Sequence, residues 1–180
     1  MAIGFRPTPR DFMIKDFIEK HGVCSTEVLC HFFFDDKPRY CQQRLTMLTK
    51  GKFINRERVW EDGKYLYYIK MPKKQAFHMA KIADCHMELD KMLNICRWSV
   101  QAKIGKDKNY IIPDLVIEYD DNGKRRILFL EVEISNHHPL FDEKKYMDAE
   151  KSGLFKKANI RNYDIYYYRP DKGLNKYKSM

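Results

Sequence analysis

The strongest constraint on the fold is a hairpin signature near the middle of the chain, IIPDLVIEYDDNGKRRILFLEVEIS at residues 111–135. Two apolar runs flank the turn sequence Asp-Asp-Asn-Gly, and Asn-Gly favours the centre of a two-residue type I′ turn. With Asn122 and Gly123 at that centre, Asp121 faces Lys124. The sequence therefore predicts two antiparallel strands in a defined register.

The same register predicts an acidic cluster, made of Asp114, Glu131 and Glu133. Asp114 lies opposite Glu131, and Glu133 is two positions further along, so all three point to one face. Clustered carboxylates repel one another unless they share a proton, lie beside Lys or Arg, or hold a cation such as Mg²⁺. Two interpretations fit these residues equally well: a cation site, or harmless acids at an exposed sheet edge.

Net charge points to the class of partner. The 180 residues carry a formal charge of +9, with a pI of about 9.2, which suits a polyanion and most often nucleic acid. Basic residues are spread over the whole chain, so local clustering must identify the surface involved.

Hydropathy and cysteine usage indicate the compartment. No stretch approaches the ~20 continuous apolar residues of a membrane span, and the start lacks the apolar region of a secretory signal. Five cysteines form an odd set with no Cys-x-x-Cys pair, which is typical of free thiols in a reducing compartment. We therefore expect a soluble, cytoplasmic protein with no membrane partner.

The first part of the sequence predicts three helices and a hairpin. Helix starts are indicated by Thr8-Pro9, by Ser25 and by the segment from Asp36 to Pro38. Two β-prone runs, residues 53–60 and 64–69, follow around an Asp-Gly turn. This order is that of a winged helix-turn-helix, which we expect over residues 1–72.

A basic segment supports a DNA-binding role for this domain. Residues 37–58 contain seven Lys or Arg residues and a single acid, Glu57. In a helix-turn-helix the second helix of the motif enters the major groove, where Arg and Gln side chains read base edges. The alternative is a solvated basic face that mediates protein contacts. The predicted double-stranded DNA contacts are Lys37, Arg39, Gln42, Gln43, Arg44, Thr46, Lys50, Lys52, Arg56 and Arg58.

The remaining residues, 73–180, predict a second, α/β domain and hence an α+β protein. Apolar periodicity predicts a helix over residues 73–94 and a strand around residues 98–104, followed by a polar loop. After the central hairpin we expect a helix over residues 142–157 and a strand over 163–168. The polar end, residues 172–180, is predicted to fray.

Two short motifs resemble the PD-(D/E)xK nuclease core. They are Pro113-Asp114 and Glu131-Val132-Glu133. The resemblance implies a restriction-endonuclease-like fold in which Asp114 and Glu131 bind Mg²⁺ or Mn²⁺. The last motif position is usually Lys, and some restriction enzymes of the superfamily also have Glu there. Glu133 could bind a second metal or act as a base, but it lacks the positive charge that Lys144 or Lys145 would supply from the following helix.

Most of residues 8–168 also resembles the replication-relaxation family of plasmids and mobile elements. That family's segments of the type PD…LEvD, followed by a helix with Lys and Tyr, are similar to Pro113-Asp114, residues 130–133 and residues 144–146. The resemblance implies DNA binding in replication, relaxation or conjugative transfer. Two alternatives remain open. One is an adaptor that docks a relaxase or replication protein. The other is a Mg²⁺-dependent endonuclease with the catalytic set Asp114, Glu131, Glu133 and Lys144.

Overall fold

The computed structural model describes residues 6–58, 63–72, 75–134 and 143–179. Both helices and strands are well represented, so the predicted α+β class is confirmed. The chain divides into two compact units, Met1–Met87 and Glu88–Met180, rather than at residue 72. The division falls later because most of the helix Ala76–Asp90 belongs to the first unit, where the Ser25 hydroxyl donates a hydrogen bond to Asp84.

The first unit combines four helices with a small antiparallel sheet. The sheet has the order β1-β3-β2, which makes β2 an edge strand. The predicted hairpin is confirmed as the pairing of β2 with β3, although residues 59–62, which include Glu61 and Asp62 of the predicted turn, lie outside the described residues. The elements are α1 (Pro9–His21), β1 (Val23–Ser25), α2 (Thr26–Phe34), α3 (Pro38–Lys50), β2 (Asn55–Arg58), β3 (Tyr65–Tyr68) and α4 (Ala76–Asp90).

The predicted helix starts in this unit are confirmed by their capping contacts. Asp11 accepts a hydrogen bond from the backbone N–H of Thr8 at 2.5 Å, which satisfies a donor at the start of α1. The Ser25 hydroxyl accepts from the N–H of Val28 at 3.3 Å at the start of α2. Pro38 occupies the first turn of α3, where a missing N–H costs nothing.

The second unit is built on a five-stranded sheet of order β10-β9-β8-β7-β4. Neighbouring strands are antiparallel except β8 and β9, which run parallel and are connected through α5 and α6. The elements are β4 (Asn94–Val100), β5 (Ile104–Lys106), β6 (Asn109–Ile111), β7 (Leu115–Asp121), β8 (Lys124–Val132), α5 (Glu143–Lys151), α6 (Leu154–Lys157), β9 (Tyr163–Arg169) and β10 (Gly173–Ser179).

The central hairpin adopts the predicted register. Asp121 pairs with Lys124, and Leu115 pairs with Leu130. Asn122 has φ 55° and Gly123 has φ 83°, the positive values that a type I′ turn requires at both central positions. The turn chemistry therefore determines which side chains share a face of the sheet.

The face that carries the acidic cluster is covered rather than exposed. Phe129, at its centre, is fully buried in a core formed with the α5 and α6 side chains of Tyr146, Leu154 and Phe155. On the opposite face, Leu115, Ile117 and Leu128 are fully buried as well. Any acid near the middle of this sheet therefore needs a partner.

Three predictions about the second unit were wrong in detail. The expected polar loop over residues 105–109 lies within the two-stranded β5–β6 hairpin, and the expected frayed end forms β10 against β9. The predicted helix over residues 142–157 is two helices, separated at Gly153 with φ 72°; residue 142 lies outside the described residues. The two missed pairings involve short or mixed-composition strands, which lack the regular apolar alternation that marks a half-buried strand.

All five cysteines are free thiols, and four of them are buried. Within the described ranges, no helix combines the length and the apolar character needed to cross a membrane.

Candidate functional site: a basic surface and an acidic cluster

A basic surface is formed by α3, its flanking residues and β2. The helix buries Cys41, Leu45 and Leu48 against the core, so its other side faces outward. Of the ten predicted DNA contacts, only Arg44 and Thr46 are partly buried. The other eight are exposed and define the basic surface: Lys37, Arg39, Gln42, Gln43, Lys50, Lys52, Arg56 and Arg58.

Contacts within the β2–β3 hairpin position the two arginines of β2. The Arg56 guanidinium lies 4.5 Å from the centroid of the Tyr65 ring, a cation–π arrangement. Arg58 donates a hydrogen bond from Nε to the Gly63 carbonyl oxygen at 3.3 Å. Both arginines therefore remain exposed while their stems are held on the hairpin.

Arg44 has a structural role, which differs from its predicted place among the DNA contacts. Its Nε donates to Oδ1 of Asp11 at 2.8 Å, and its Nη2 bonds the other oxygen of the same carboxylate. Asp11 is 0% exposed. Burial alone would raise the pKa of Asp11, but the hydrogen bonds from Arg44 and Thr8 outweigh it and lower the pKa. Arg44 thus joins α3 to the start of α1.

The acidic cluster is only partly assembled. Asp114 directly precedes β7, and its Oδ2 accepts a hydrogen bond from the backbone N–H of Val132 in β8 at 2.8 Å. This contact places Asp114 beside Glu131, and the Asp114 charge contributes to raising the pKa of Glu131. The structure therefore brings Asp114 and Glu131 together.

Glu131 is neutralised by the helix that follows it. Its Oε1 accepts hydrogen bonds from Lys145 Nζ at 2.6 Å and from the Tyr146 hydroxyl at 2.5 Å. Lys145 also donates to the carbonyl oxygen of Ile112 at 2.9 Å. Burial raises the pKa of Glu131 above its ordinary value, although Lys145 and Tyr146 oppose that effect. Burial likewise raises the pKa of Tyr146, so the phenol stays protonated and donates.

Glu133 and Lys144 lie apart from this contact. Glu133 pairs with Arg169 at the end of β9, with 3.6 Å between Oε2 and Nε. Lys144 is exposed on α5, whereas its neighbour Lys145 makes the contact with Glu131. The lysine near the cluster is therefore Lys145. The sequence alone does not distinguish it from Lys144, because the choice depends on how the buried Tyr146 packs α5 against the sheet.

The three acids of the cluster are not gathered around one common cation position. No group of three or more His, Cys, Asp or Glu side chains in the described part of the chain is placed to hold a metal ion. The Lys145 ammonium already lies against Glu131, and a second cation next to it would be repelled. The arrangement supports a neutralised structural contact.

The sequence was also compared with models of known protein families and with curated proteins, and no match was found.

Proposed function

We propose that this protein binds double-stranded DNA through a winged helix-turn-helix in its first unit. The observation that carries the proposal is the basic surface, since eight polar or charged side chains from α3, its flanking residues and β2 are exposed. Arg and Gln on α3 have the hydrogen-bonding groups to read guanine and adenine, and the lysines suit phosphate contacts.

The connection between α2 and α3 supports the helix-turn-helix assignment. Only residues 35–37 separate the two helices, a length typical of this motif. Asp35 and Asp36 have φ of 50° and 55°, so the backbone turns sharply there. In this arrangement α3 is the recognition helix and the β2–β3 hairpin is the wing. The wing contacts the sugar-phosphate backbone of the DNA through Arg56 and Arg58.

The first prediction concerns the basic surface. Replacing Arg39 and Arg56 together by Ala should weaken duplex binding by at least about tenfold, or about 1.4 kcal/mol. The dependence of affinity on salt should also become shallower, because fewer counterions are released from phosphates. Fluorescence anisotropy with a labelled duplex at several salt concentrations measures both effects.

A matched control removes two arginines from the second unit. Arg97 and Arg125 are both exposed, so Arg97→Ala/Arg125→Ala changes the net charge equally without touching the basic surface. The control should bind like the wild type. If the Arg39/Arg56 variant also binds like the wild type, the basic surface is not the DNA contact and the adaptor alternative is favoured.

For the second unit we propose a nuclease-like fold that supports DNA recognition during plasmid replication or conjugative transfer. The resemblance of Asp114, Glu131 and Glu133 to the PD-(D/E)xK motifs suggests this fold, and the β7–β8 hairpin that carries them is consistent with it. A relaxase or a replication protein is the proposed protein partner.

The second prediction separates binding from cleavage. The Glu131 carboxylate is paired with Lys145, and the Glu133 carboxylate is paired with Arg169. Because these cations already compensate the two acids, we expect that Mg²⁺ or Mn²⁺ will not change the melting temperature of the protein and that supercoiled plasmid will remain uncut. Gel analysis of plasmid incubated with each metal, together with thermal melts, measures this. Metal-dependent cleavage that disappears in Asp114→Asn would instead establish the endonuclease alternative.

A further inference from the structure

The second unit carries a separate basic surface, formed by the β5–β6 hairpin and the region around α6. Residues 103–110 and 151–161 contain seven basic residues and one acidic residue, Asp107. All seven basic side chains are exposed and define the lysine surface: Lys103, Lys106, Lys108, Lys151, Lys156, Lys157 and Arg161.

Close packing makes these two segments one continuous surface. A Cβ at Gly105 would lie 2.5 Å from Cδ1 of Leu154, so the hairpin backbone sits directly against α6. The Ser152 hydroxyl donates a hydrogen bond to Oδ1 of Asn109 at 3.3 Å. Gly105 has φ 108°, a conformation that strains other residues, and this allows the close approach.

A depression of about 680 Å³ lies at the centre of the lysine surface. Its charged lining consists of Lys106, Asp107, Lys108 and Lys157. Asn109 contributes an amide to the same depression, and amides bond phosphate oxygens readily. Glu150, which directly precedes the second segment, hydrogen-bonds Tyr163. Burial, reinforced by Glu150, raises the pKa of the Tyr163 phenol to about 12.

The composition of this depression suits a chain of phosphates. Lysine ammonium groups act as compact point charges that bind phosphate without the planar fork by which arginine reads guanine. Protein interfaces rely on buried Trp, Tyr and Arg anchors, whereas the basic groups that line this depression are all lysines. Tyr110, the exposed aromatic nearby, has the Lys103 ammonium 4.2 Å from its ring centroid.

We propose that the lysine surface binds the phosphodiester backbone of duplex DNA without sequence preference, and thereby adds a second contact to that of the basic surface. The choice of duplex DNA as the polyanion rests on the proposed function. The recognition of a polyanion rests on the lysine surface alone. The PD-(D/E)xK-like motifs and the acidic cluster are not part of the argument for polyanion binding.

The test uses the full chain and a labelled random-sequence duplex of about 30 base pairs, with anisotropy measured over a range of salt concentrations. In Lys106→Gln/Lys108→Gln/Lys157→Gln, Kd should rise about tenfold or more, and the slope of log K against log salt should fall in magnitude by about two to three. The matched control, Lys91→Gln/Lys124→Gln/Lys172→Gln, removes three exposed lysines of the same unit from outside the surface and should bind like the wild type.

Comparison with Arg39→Ala/Arg56→Ala distinguishes the two proposals. If only the arginine variant loses DNA binding, the proposed role of the lysine surface is wrong and the proposed function is retained. Loss in the lysine variant alone would support the lysine surface and overturn the assignment of the basic surface. Unchanged duplex binding by the lysine variant, together with lost binding to poly-glutamate, would mean an acidic protein partner and overturn this inference.

Discussion

Replacing Asp164 by Asn should lower the free energy of unfolding by about 3–5 kcal/mol, the cost typical of breaking a buried ion pair from one side. Asp164 lies in β9 and is fully buried. Arg126 donates to both of its oxygens, at 2.9 Å from Nε and 3.0 Å from Nη2, and Lys176 donates to Oδ1 at 2.8 Å. The Tyr119 hydroxyl donates to Oδ2.

The size of the expected effect follows from what the substitution leaves behind. Asn keeps the shape of the side chain but removes the negative charge that the Arg126 guanidinium and the Lys176 ammonium both face. The hydrogen bonds to Asp164 raise the pKa of Arg126, so the guanidinium stays charged and loses its compensation inside the sheet. A loss of this size is a large part of the 5–15 kcal/mol that stabilises a typical domain.

A partly exposed ion pair of the same sheet, between Arg125 and Glu118, provides the control. Arg125 lies 2.8 Å from Glu118, and the Arg125 side chain is 71% exposed. Glu118→Gln should therefore cost only about 0–1 kcal/mol. Urea denaturation of both variants measures the difference, and equal losses would show that Asp164 is no more important than a surface acid. Combining Asp164→Asn with Arg126→Met should cost less than the sum of the single changes, because the unpaired charge is removed.

The parts of the fold that could be predicted from sequence are those with local signals. Asn122-Gly123 specified the turn and the register of the central hairpin, because positive φ at both positions admits few alternatives. Thr8, Ser25 and Pro38 identified helix starts through capping and proline geometry. Each of these features depends on neighbouring residues only.

Long-range contacts explain what the sequence did not reveal. The parallel pairing of β8 with β9 places Glu133 beside the end of β9, and hence beside Arg169, yet no turn connects these strands. β5, β6 and β10 mix Lys, Asn and Gly with a few apolar residues, so their hydrophobic pattern is weak.

Long-range contacts also limited what the sequence could predict about the candidate sites. Helical spacing placed Arg39, Gln42, Gln43 and Thr46 on one side of α3, where the first three are exposed and Thr46 is partly buried. Arg44 follows Gln43 directly, and its role depends on Asp11, 33 residues earlier. Which of Lys144 and Lys145 would face Glu131 depended on how α5 packs on the sheet, which the buried Tyr146 determines. Charge and spacing therefore identified candidate surfaces, and tertiary packing decided which charges are available.

A buried pair of histidines makes the first unit sensitive to acid. His21, at the end of α1, and His86, in α4, are both fully buried, with 3.0 Å between Nε2 of His21 and Nδ1 of His86. His21 also donates from Nδ1 to the carbonyl oxygen of Phe17 at 3.1 Å. Burial lowers the pKa of His21 to about 4 and that of His86 to about 3. Nearby positive charge on Lys20 lowers the pKa of His21 further, and positive charge on His21 and His31 lowers the pKa of His86 further.

The sign of the resulting pH dependence follows from proton counts. Unfolded imidazoles titrate near pH 6.5, so between about pH 6.5 and 3 the unfolded state binds more protons than the folded state. The stability contributed by the neutral pair is complete above pH 6.5 and is lost as the pH falls. Two such groups should remove about 4 kcal/mol between pH 7 and pH 5, before most carboxylates titrate.

We expect this loss to depend on the pair itself. In His21→Gln/His86→Gln the free energy of unfolding should be lower at pH 7, because the histidine packing is disturbed, but it should change much less between pH 7 and pH 5 than in the wild type. His31→Gln removes an imidazole outside the pair and should keep most of the wild-type slope. Urea denaturation at closely spaced pH values measures all three proteins. A wild-type stability that is the same at pH 7 and pH 5 would contradict the prediction, because it would mean that the folded pair accepts protons as readily as the unfolded chain.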